Sequence, residues 1–395
     1  MKHLLIAALL CASSSLFGSP FASEVIDYSP GPGQFVKNRL YNDPSRALGA
    51  PMGLYVDVPC NDSLVTLGDG GSITLAFDTP VKDDPANPYG MDFIVFSNAM
   101  FVGGDPYYRF QEPAFAEISP DGEHWYLILP NILPADMEGN VDTGNSETPL
   151  RGYAEFTPTV GLPQDLETPY FNATRTAEQL YTVPERPYDG EDDESLEFDK
   201  VSGGGDAFDI ADAVVETLPG VPARDAGGNF IKANLKEFKY IRLTDAVTGD
   251  GSQLFGEISA EIDAVAKVSP AVSVGGAEGY GVITEAVVTF ITEDGFIIES
   301  PDRSAAAKVI TDSEEEVEVG DKLTITGNIG NRILTDAMFT VTSKGHDVKP
   351  VGMAKEKLTD ALAAYMYVRT WGVFDGEFKI LEGYYDKQKG GFIEK

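Results

Sequence analysis

The most constraining feature of this 395-residue chain is residues 67–98, where two short apolar runs flank an acidic, proline-rich turn. The first run, residues 72–77, and the second, residues 92–98, are each too short for a typical helix. Short apolar runs bounded by Gly, Pro and Asp are typical of β-strands joined by turns. The abundance of Gly and Pro, with 41 and 25 residues, also favours many short strands over long helices. The sequence therefore predicts an all-β protein.

Similar runs continue to residue 268 and predict one β-sandwich unit over residues 24–268. A tight turn at Ser119-Pro120-Asp121-Gly122 indicates a hairpin. Residues 130–205 are rich in Pro, Asp, Glu, Thr and Asn and lack apolar periodicity, so we interpret them as an irregular insertion. A short helix is predicted near residues 209–215. The further predicted strands are 114–119, 124–129, 240–245 and 258–268.

A second unit is predicted over residues 281–395, after a linker of small residues at 269–280. Its apolar runs alternate with polar residues in the manner of a small β-barrel. Residues 355–364 have the apolar spacing of an amphipathic helix. We therefore predict a barrel domain with one helix.

The amino terminus predicts export. Residues 1–23 combine a basic start, a short apolar run and a small-residue exit, which is the pattern of a signal peptide cleaved between about Gly18 and Ser23. We expect a secreted, cell-surface or periplasmic protein. No other apolar run approaches the about 18 residues of a membrane span. After cleavage Cys60 is the only cysteine left, so no internal disulfide is expected.

The net charge of −34 limits the classes of partner. An acidic surface repels the phosphates of nucleic acid, so we exclude nucleic acid as a partner. The same charge favours solubility and attracts divalent cations. A solvated acidic surface explains many of these carboxylates equally well.

One candidate metal site lies at Asp206, Asp209 and Asp212, which follow a triple glycine at intervals of three. Carboxylate oxygens on such a turn can converge on Ca²⁺, which takes six to eight oxygen ligands. The alternative is a capped helix start, with Asp206 or Asp209 as the N-cap and Asp212 in solvent.

A second candidate pair is Glu261 and Asp263, two apart on one strand and therefore on one face. Two neighbouring carboxylates repel each other unless a cation lies between them. We hypothesise a cation shared with the loop at Asn42 and Asp43. The alternative is a surface pair beside Lys267.

Aromatic residues at Tyr107, Tyr108 and Phe110 form a candidate ligand-binding loop. They can stack on sugar rings, or they can cover one end of the sandwich core. No serine-hydrolase, zinc-protease, phosphate-loop or CxxC motif is present, so no catalytic residue is predicted. Two suitably spaced carboxylates would suffice for a glycosidase, and that alternative stays open.

Six sequence blocks in residues 24–268 resemble a family of bacterial secreted and cell-surface proteins. The resemblance implies a jelly-roll sandwich similar to galactose-binding and carbohydrate-binding modules, with structural calcium and no established activity. The family usually has Asp where this chain has Glu261. The blocks are Ala47-Leu48-Gly49-Ala50-Pro51, residues 67–77, 92–98, 119–125 and 204–209, and Glu261-Ile262-Asp263-Ala264-Val265.

Residues 282–343 resemble the OB-fold modules of secreted bacterial hydrolases, and residues 366–395 resemble the start of a second such barrel. The cues are Gly295-Phe296-Ile297-Ile298 and Val319-Gly320-Asp321-Lys322-Leu323. OB-folds bind oligonucleotides or oligosaccharides.

Together these features predict a non-catalytic, calcium-stabilised exported protein that binds glycan or another surface ligand. The alternatives are a secreted polysaccharide hydrolase and a structural envelope component.

Overall fold

We describe the fold from a computed structural model. The residues described contain one α-helix, α1 (Ala177–Tyr181), and a few single-turn 3-10 helices, and are otherwise strands, turns and loops. The predicted all-β fold is confirmed. The residues described are 19–33, 35–51, 64–101, 109–110, 112–131, 133, 151–160, 176–186, 201–246, 259–270, 272, 274, 279–313, 315–359 and 363–395.

The larger sheet of the N-terminal unit is antiparallel throughout. Its strands, numbered in chain order, are β1 (Glu24–Ser29), β3 (Ser72–Lys82), β7 (Ala114–Ser119), β8 (Tyr126–Ile128), β9 (Tyr153–Ala154), β11 (Ala213–Leu218), β12 (Val221–Pro222) and β13 (Glu237–Asp245). They pair in the order β1-β3-β13-β7-β8-β11-β12, with β9 beside β7. The predicted hairpin joins β7 to β8, and Gly122 occupies the left-handed position of its turn with φ 80°.

The smaller sheet faces the larger one across a shared apolar core. Its strands are β2 (Val65–Thr66), β4 (Phe93–Ser97), β10 (Asp206–Phe208) and β14 (Glu261–Lys267), in the order β10-β4-β14-β2. Leu75 and Ile241 of the larger sheet share this core with Val265 of the smaller one. Phe93 stacks on Phe208 at 4.9 Å between ring centroids. Two antiparallel sheets around one core make a β-sandwich. A separate two-stranded ribbon pairs β5 (Met100–Phe101) with β6 (Arg109–Phe110).

The helix predicted at 209–215 is wrong. Residues Ile210–Asp212 form a single 3-10 turn, and β11 begins at Ala213. Val214 and Val215 pair with β8 instead of continuing a helix. Branched side chains favour strands over helices. The edge of β8 also offers hydrogen-bond partners, whereas a short helix on its own is only marginally stable.

The second unit contains a closed five-stranded barrel, as the sequence predicts. Its strands are β15 (Gly279–Thr292), β16 (Gly295–Glu299), β17 (Ala306–Ile310), β18 (Lys322–Gly330) and β19 (Ile333–Ser343), in the order β15-β16-β17-β19-β18. The contact between β17 and β19 is parallel. Phe296 and Phe339 meet edge to face in its core, with ring centroids 5.1 Å apart.

The remaining strands form an open four-stranded sheet, which we call the C-terminal sheet. Its strands are β20 (Val351–Ala354), β21 (Val368–Phe374), β22 (Glu377–Asp386) and β23 (Gly391–Glu394), paired in that order. The helix predicted at 355–364 is wrong within the described residues: Lys355–Lys357 is a 3-10 turn, and Ala364 forms a β-bridge to Tyr385. The apolar residues of this segment, such as Leu358 and Ala364, pack between the C-terminal sheet and the barrel rather than along one face of a helix.

An ion network is buried on the outer face of the larger sheet. Glu117 is fully buried and accepts two hydrogen bonds of 2.7 Å from Arg242. Arg242 also contacts Glu216 at 3.1 Å and lies over the ring of Trp125. Burial would raise the pKa of Glu117, but the hydrogen bonds from Arg242, Glu216 and Thr244 together with the charge of Arg242 outweigh it and lower that pKa. Burial, followed by contact with Glu117, raises the pKa of Glu216 to about 8.

This network predicts a pH dependence that Glu216→Gln should reduce. In the unfolded chain Glu216 ionises near its ordinary pKa of about 4.3. The unfolded state therefore binds fewer protons than the folded state between about pH 4.3 and 8, and stability falls as pH rises across this window. We expect Glu216→Gln to raise Tm by about 3 °C or more at pH 8, and to leave it unchanged at pH 4.

Thermal melting across this pH range measures the effect. Glu237→Gln, at an exposed position on β13, is the control and should shift Tm equally little at both pH values. If the difference in Tm between Glu216→Gln and the wild type does not change with pH, Glu216 is already ionised in the folded state and the predicted shift of its pKa is wrong.

Candidate metal centre

Three buried glutamates meet at one end of the sandwich, and we call them the glutamate triad: Glu112, Glu155 and Glu261. One carboxylate oxygen from each lies within 4.8 Å of the other two. Their exposed fractions are 6%, 0% and 7%. A group of three carboxylates at this depth requires protons or a cation between them.

Strand ends from both sheets position the triad. Glu112 lies two residues before β7, Glu155 directly follows β9, and Glu261 is the first residue of β14. The Glu112 carboxylate accepts a hydrogen bond of 3.1 Å from the backbone N–H of Ser259. The Glu155 carboxylate accepts one of 2.8 Å from the backbone N–H of Glu261. These backbone bonds fix the orientation of two of the three side chains.

Glu155 also has an unusual backbone conformation. Its φ is 72°, in the left-handed region that non-glycine residues rarely adopt. Holding a side chain there costs roughly 1–3 kcal/mol, and such residues cluster at functional sites. The strain therefore supports a specific role for this carboxylate.

Two further polar residues border the triad. The side-chain amide of Asn98, directly after β4, donates a long hydrogen bond of 3.5 Å to Glu261. Asp245, at the end of β13, accepts from the backbone N–H groups of Gly70 at 2.9 Å and Ala260 at 3.1 Å. The charge of Asp245 acts on Glu112 and Glu155.

Two buried oxygens at this site, one in the triad and one in the neighbouring Asn98, have no hydrogen-bond partner among the described residues. They are Oε1 of Glu155 and Oδ1 of Asn98. A buried polar atom without a partner costs about 1–3 kcal/mol. Both atoms are acceptors, so a bound cation would satisfy them.

Burial is the main cause of the pKa shifts in the triad. It raises the pKa of Glu155 well above the usual range, and the charges of Glu261 and Glu112 raise it further. It does the same for Glu261, with Glu112 adding to the shift. Burial also raises the pKa of Glu112. Among the described residues, the groups that act on these carboxyls are other carboxyls and neutral donors, so a bound cation would supply the positive charge that stabilises their ionised form.

The donor set fits a calcium ion. Ca²⁺ prefers carboxylate and amide oxygens at about 2.3–2.6 Å, so two of its ligands can lie up to about 5 Å apart. The triad meets that limit, since one oxygen from each carboxylate lies within 4.8 Å of the other two. Three carboxylates and the amide oxygen of Asn98 can together supply six or more oxygen ligands.

A second carboxylate group lies at the opposite end of β4. It joins Asp83, Asp92 and Asp209 within 4.8 Å. Asp92 is 1% exposed, and burial raises its pKa to about 6. Its oxygens accept hydrogen bonds from Asp84, Asn87 and Ile210, while Asp83 pairs with Lys236 at 2.8 Å. This group has a positively charged partner in Lys236, whereas the groups that act on the glutamate triad are carboxyls and neutral donors.

The three aspartates predicted at 206–212 have different environments. Asp206 is buried and accepts a 2.8 Å hydrogen bond from the backbone N–H of Phe156. Asp209 caps the 3-10 turn and joins the second carboxylate group. Asp212 is exposed and pairs with Lys232 at 3.4 Å. Neither group of three carboxylates found in the described residues contains more than one of them.

The other predicted ligands are also separated. Asp43 is exposed and caps the 3-10 helix Pro44–Ala47 through Ser45. Glu261 belongs to the glutamate triad, and Asp263 is fully buried outside it. The register of β14 against β4 shifts between Ile262 and Ala264, so the simple alternation behind the predicted pair does not hold there.

Sequence reasoning missed Glu112 and Glu155. Glu155 lies in the irregular insertion, where no periodicity marks a site, and Glu112 stands alone before a strand. Of the predicted aromatic site, Tyr107 and Tyr108 lie outside the described residues. Phe110 is half-buried on β6.

No family model and no curated protein matches this chain. Among the described residues, no helix has the length and apolar character needed to cross a membrane.

Proposed function

We propose that this chain is an exported, non-catalytic binding protein whose sandwich domain is stabilised by a calcium ion at the glutamate triad. The observation that carries the proposal is the meeting of three buried carboxylates at which two acceptor oxygens, one of Glu155 and one of the neighbouring Asn98, have no partner among the described residues. An ion at this position would link the two sheets, because Glu112 and Glu155 lie at strand ends of the larger sheet and Glu261 begins a strand of the smaller one.

The burial of the triad supports a structural role for the ion. Catalysis by paired carboxylates needs a cleft that admits substrate and water. Glu155 is 0% exposed, and its two partners are at most 7% exposed. A closed, protein-lined site is typical of an ion that stabilises the fold.

The signal-peptide pattern of residues 1–23 supports export. The contacts of Phe21 and Ala22 in the folded chain favour cleavage before them, at the start of the predicted range. Ala22 is buried and donates a 2.9 Å backbone hydrogen bond to Val265, which a chain starting at Ser19 keeps. The resemblance to galactose-binding and carbohydrate-binding modules supports glycan as the ligand class.

Isothermal titration with CaCl₂ tests the metal centre directly. We expect the wild-type chain, purified in chelator and then dialysed free of it, to bind a calcium ion that the Glu155→Gln variant does not bind. The substitution keeps the volume of the side chain and removes one charged ligand. Asp83→Asn, in the second carboxylate group, is the matched control and should bind like the wild type.

Other results would change the proposal in defined ways. Heat of binding that disappears in Asp83→Asn but persists in Glu155→Gln would move the ion to the second carboxylate group. No heat in the wild type would remove the metal centre. Release of reducing sugar from mixed polysaccharides would replace the non-catalytic function with a hydrolase, and a glycan array with and without chelator tests the ligand class.

A further inference from the structure

The C-terminal sheet exposes a contiguous apolar patch on its outer face, which we call the outer patch: Trp371, Val373, Phe378 and Ile380. Their exposed fractions are 43%, 54%, 68% and 65%. Trp371 lies directly opposite Ile380, and Val373 lies directly opposite Phe378, across β21 and β22. Directly opposed side chains on one face are about 4.5–5.5 Å apart, so the four form one block.

The opposite face of the same sheet is already used. Val368 and Tyr384 are buried with Ile297 and Ala306 of the barrel. The ring of Tyr384 meets that of Phe290 at 4.9 Å. Packing of the sheet on the barrel therefore leaves the outer patch in solvent, and packing among the described residues does not explain its apolar character.

Charge distinguishes this part of the chain from the rest. Residues 351–395 contain seven basic and seven acidic residues, whereas the whole chain has a net charge of −34. Two copies of such an acidic chain repel each other over most of their surfaces. The neutral C-terminal sheet is where that repulsion is weakest.

The borders of the outer patch are complementary to each other. At one end Arg369 pairs with Glu382, and its side chain is still 58% exposed. At the other end the β21–β22 turn carries Glu377, which is exposed, and Asp375, which is 93% exposed although it lies 3.8 Å from Lys379. A two-fold axis that lies between two facing patches and runs across the strands would bring Arg369 of one copy to the acidic turn of the other.

The size of the patch suits the centre of such an interface. Its four side chains expose roughly 400 Å², which is the size of a functional surface patch on a soluble protein. A standard interface buries about 800 Å² per partner, with an apolar centre and a polar rim. The outer patch would supply the centre, and the charged residues at its borders would supply the rim.

We infer that the outer patch is a homodimer interface, in which a second copy of this chain packs its own Trp371, Val373, Phe378 and Ile380 against the first. The contact is isologous, since each copy presents the same surface. A dimer would place two sandwich domains on one particle and would increase the avidity for a repetitive ligand. The inference does not depend on the metal centre.

Sedimentation equilibrium of the purified chain at about 1–100 µM tests this interface, since contacts of this size reach micromolar affinity or better. We expect the wild type to be dimeric at the upper concentrations. Phe378→Glu should weaken the dimer at least tenfold, because it places a charge in the centre of the interface. Its high exposure means that the fold should tolerate the change, which an unchanged Tm at low concentration verifies.

Leu218→Glu is the matched control, since Leu218 is 66% exposed on the sandwich. It should leave the dimer intact. A wild type that stays monomeric at the highest concentration would overturn the inference, as would a dimer that Phe378→Glu leaves unchanged. A monomeric wild type that binds insoluble polysaccharide through Phe378 would assign the outer patch to glycan instead.

Discussion

Calcium at a hundredfold excess over its dissociation constant should raise the melting temperature of the sandwich domain by about 5–10 °C. Binding to the folded state alone at that excess stabilises it by about 2.7 kcal/mol. For a unit of this size each kcal/mol raises Tm by about 2–4 °C. The ion would offset two of the three negative charges of the triad and satisfy Oε1 of Glu155 and Oδ1 of Asn98.

Whether Glu155→Gln is less or more stable than the wild type should depend on calcium. With calcium the variant should melt well below the wild type, because it lacks a charged ligand. With chelator it should melt at or above the wild type, because glutamine is neutral and needs no proton to be buried beside the other two carboxyls. Differential scanning calorimetry in both conditions measures both differences.

Asp83→Asn again serves as the control for this experiment. It leaves the triad intact and should keep the full calcium effect. A wild-type Tm that is the same in calcium and in chelator would contradict the metal centre. A calcium effect of equal size in wild type and Glu155→Gln would place the ion elsewhere in the chain.

The strands of this protein could be predicted because their signal is local. Alternation and turn residues mark β7, β8 and β13 within a few residues of where they lie. The two predicted helices failed because a neighbouring strand or sheet, invisible in a local window, offered their apolar residues a better partner. Val214 pairs with Leu127 of β8, and Ala364 forms a bridge to Tyr385 of β22.

The candidate site could be predicted only in part, for a related reason. Glu261 was found because it lies in a recognisable strand. Its partner Glu155 is 106 residues away, and Glu112 is 147 residues from the Ser259 backbone that orients it. A contact over such a separation exists only once both sheets have formed. The predicted pairing of Glu261 with Asp263 relied on strict alternation, which the register shift in β14 interrupts.

The ion network on the larger sheet gives the second large effect. Arg242→Met should destabilise the protein by about 3 kcal/mol, because it leaves Glu117 fully buried without its partner. Breaking a buried ion pair typically costs about 3–5 kcal/mol, and Arg242 itself is 20% exposed, so we expect the lower end. Urea unfolding measures the loss as a lower midpoint with an unchanged slope.

The double variant Glu117→Gln with Arg242→Met separates lost charge from lost packing. If the cost comes from an unpaired buried charge, the neutral glutamine should recover much of it, since Thr244 can still donate its hydroxyl to the side chain. Replacement of a whole buried pair is often close to neutral, in contrast to removal of one partner. Lys236→Met is the control, because Lys236 pairs with Asp83 while 84% exposed, and its removal should hardly change the midpoint. A double variant as unstable as Arg242→Met alone would mean that the arginine stabilises the sheet through its packing on Trp125 rather than through its charge.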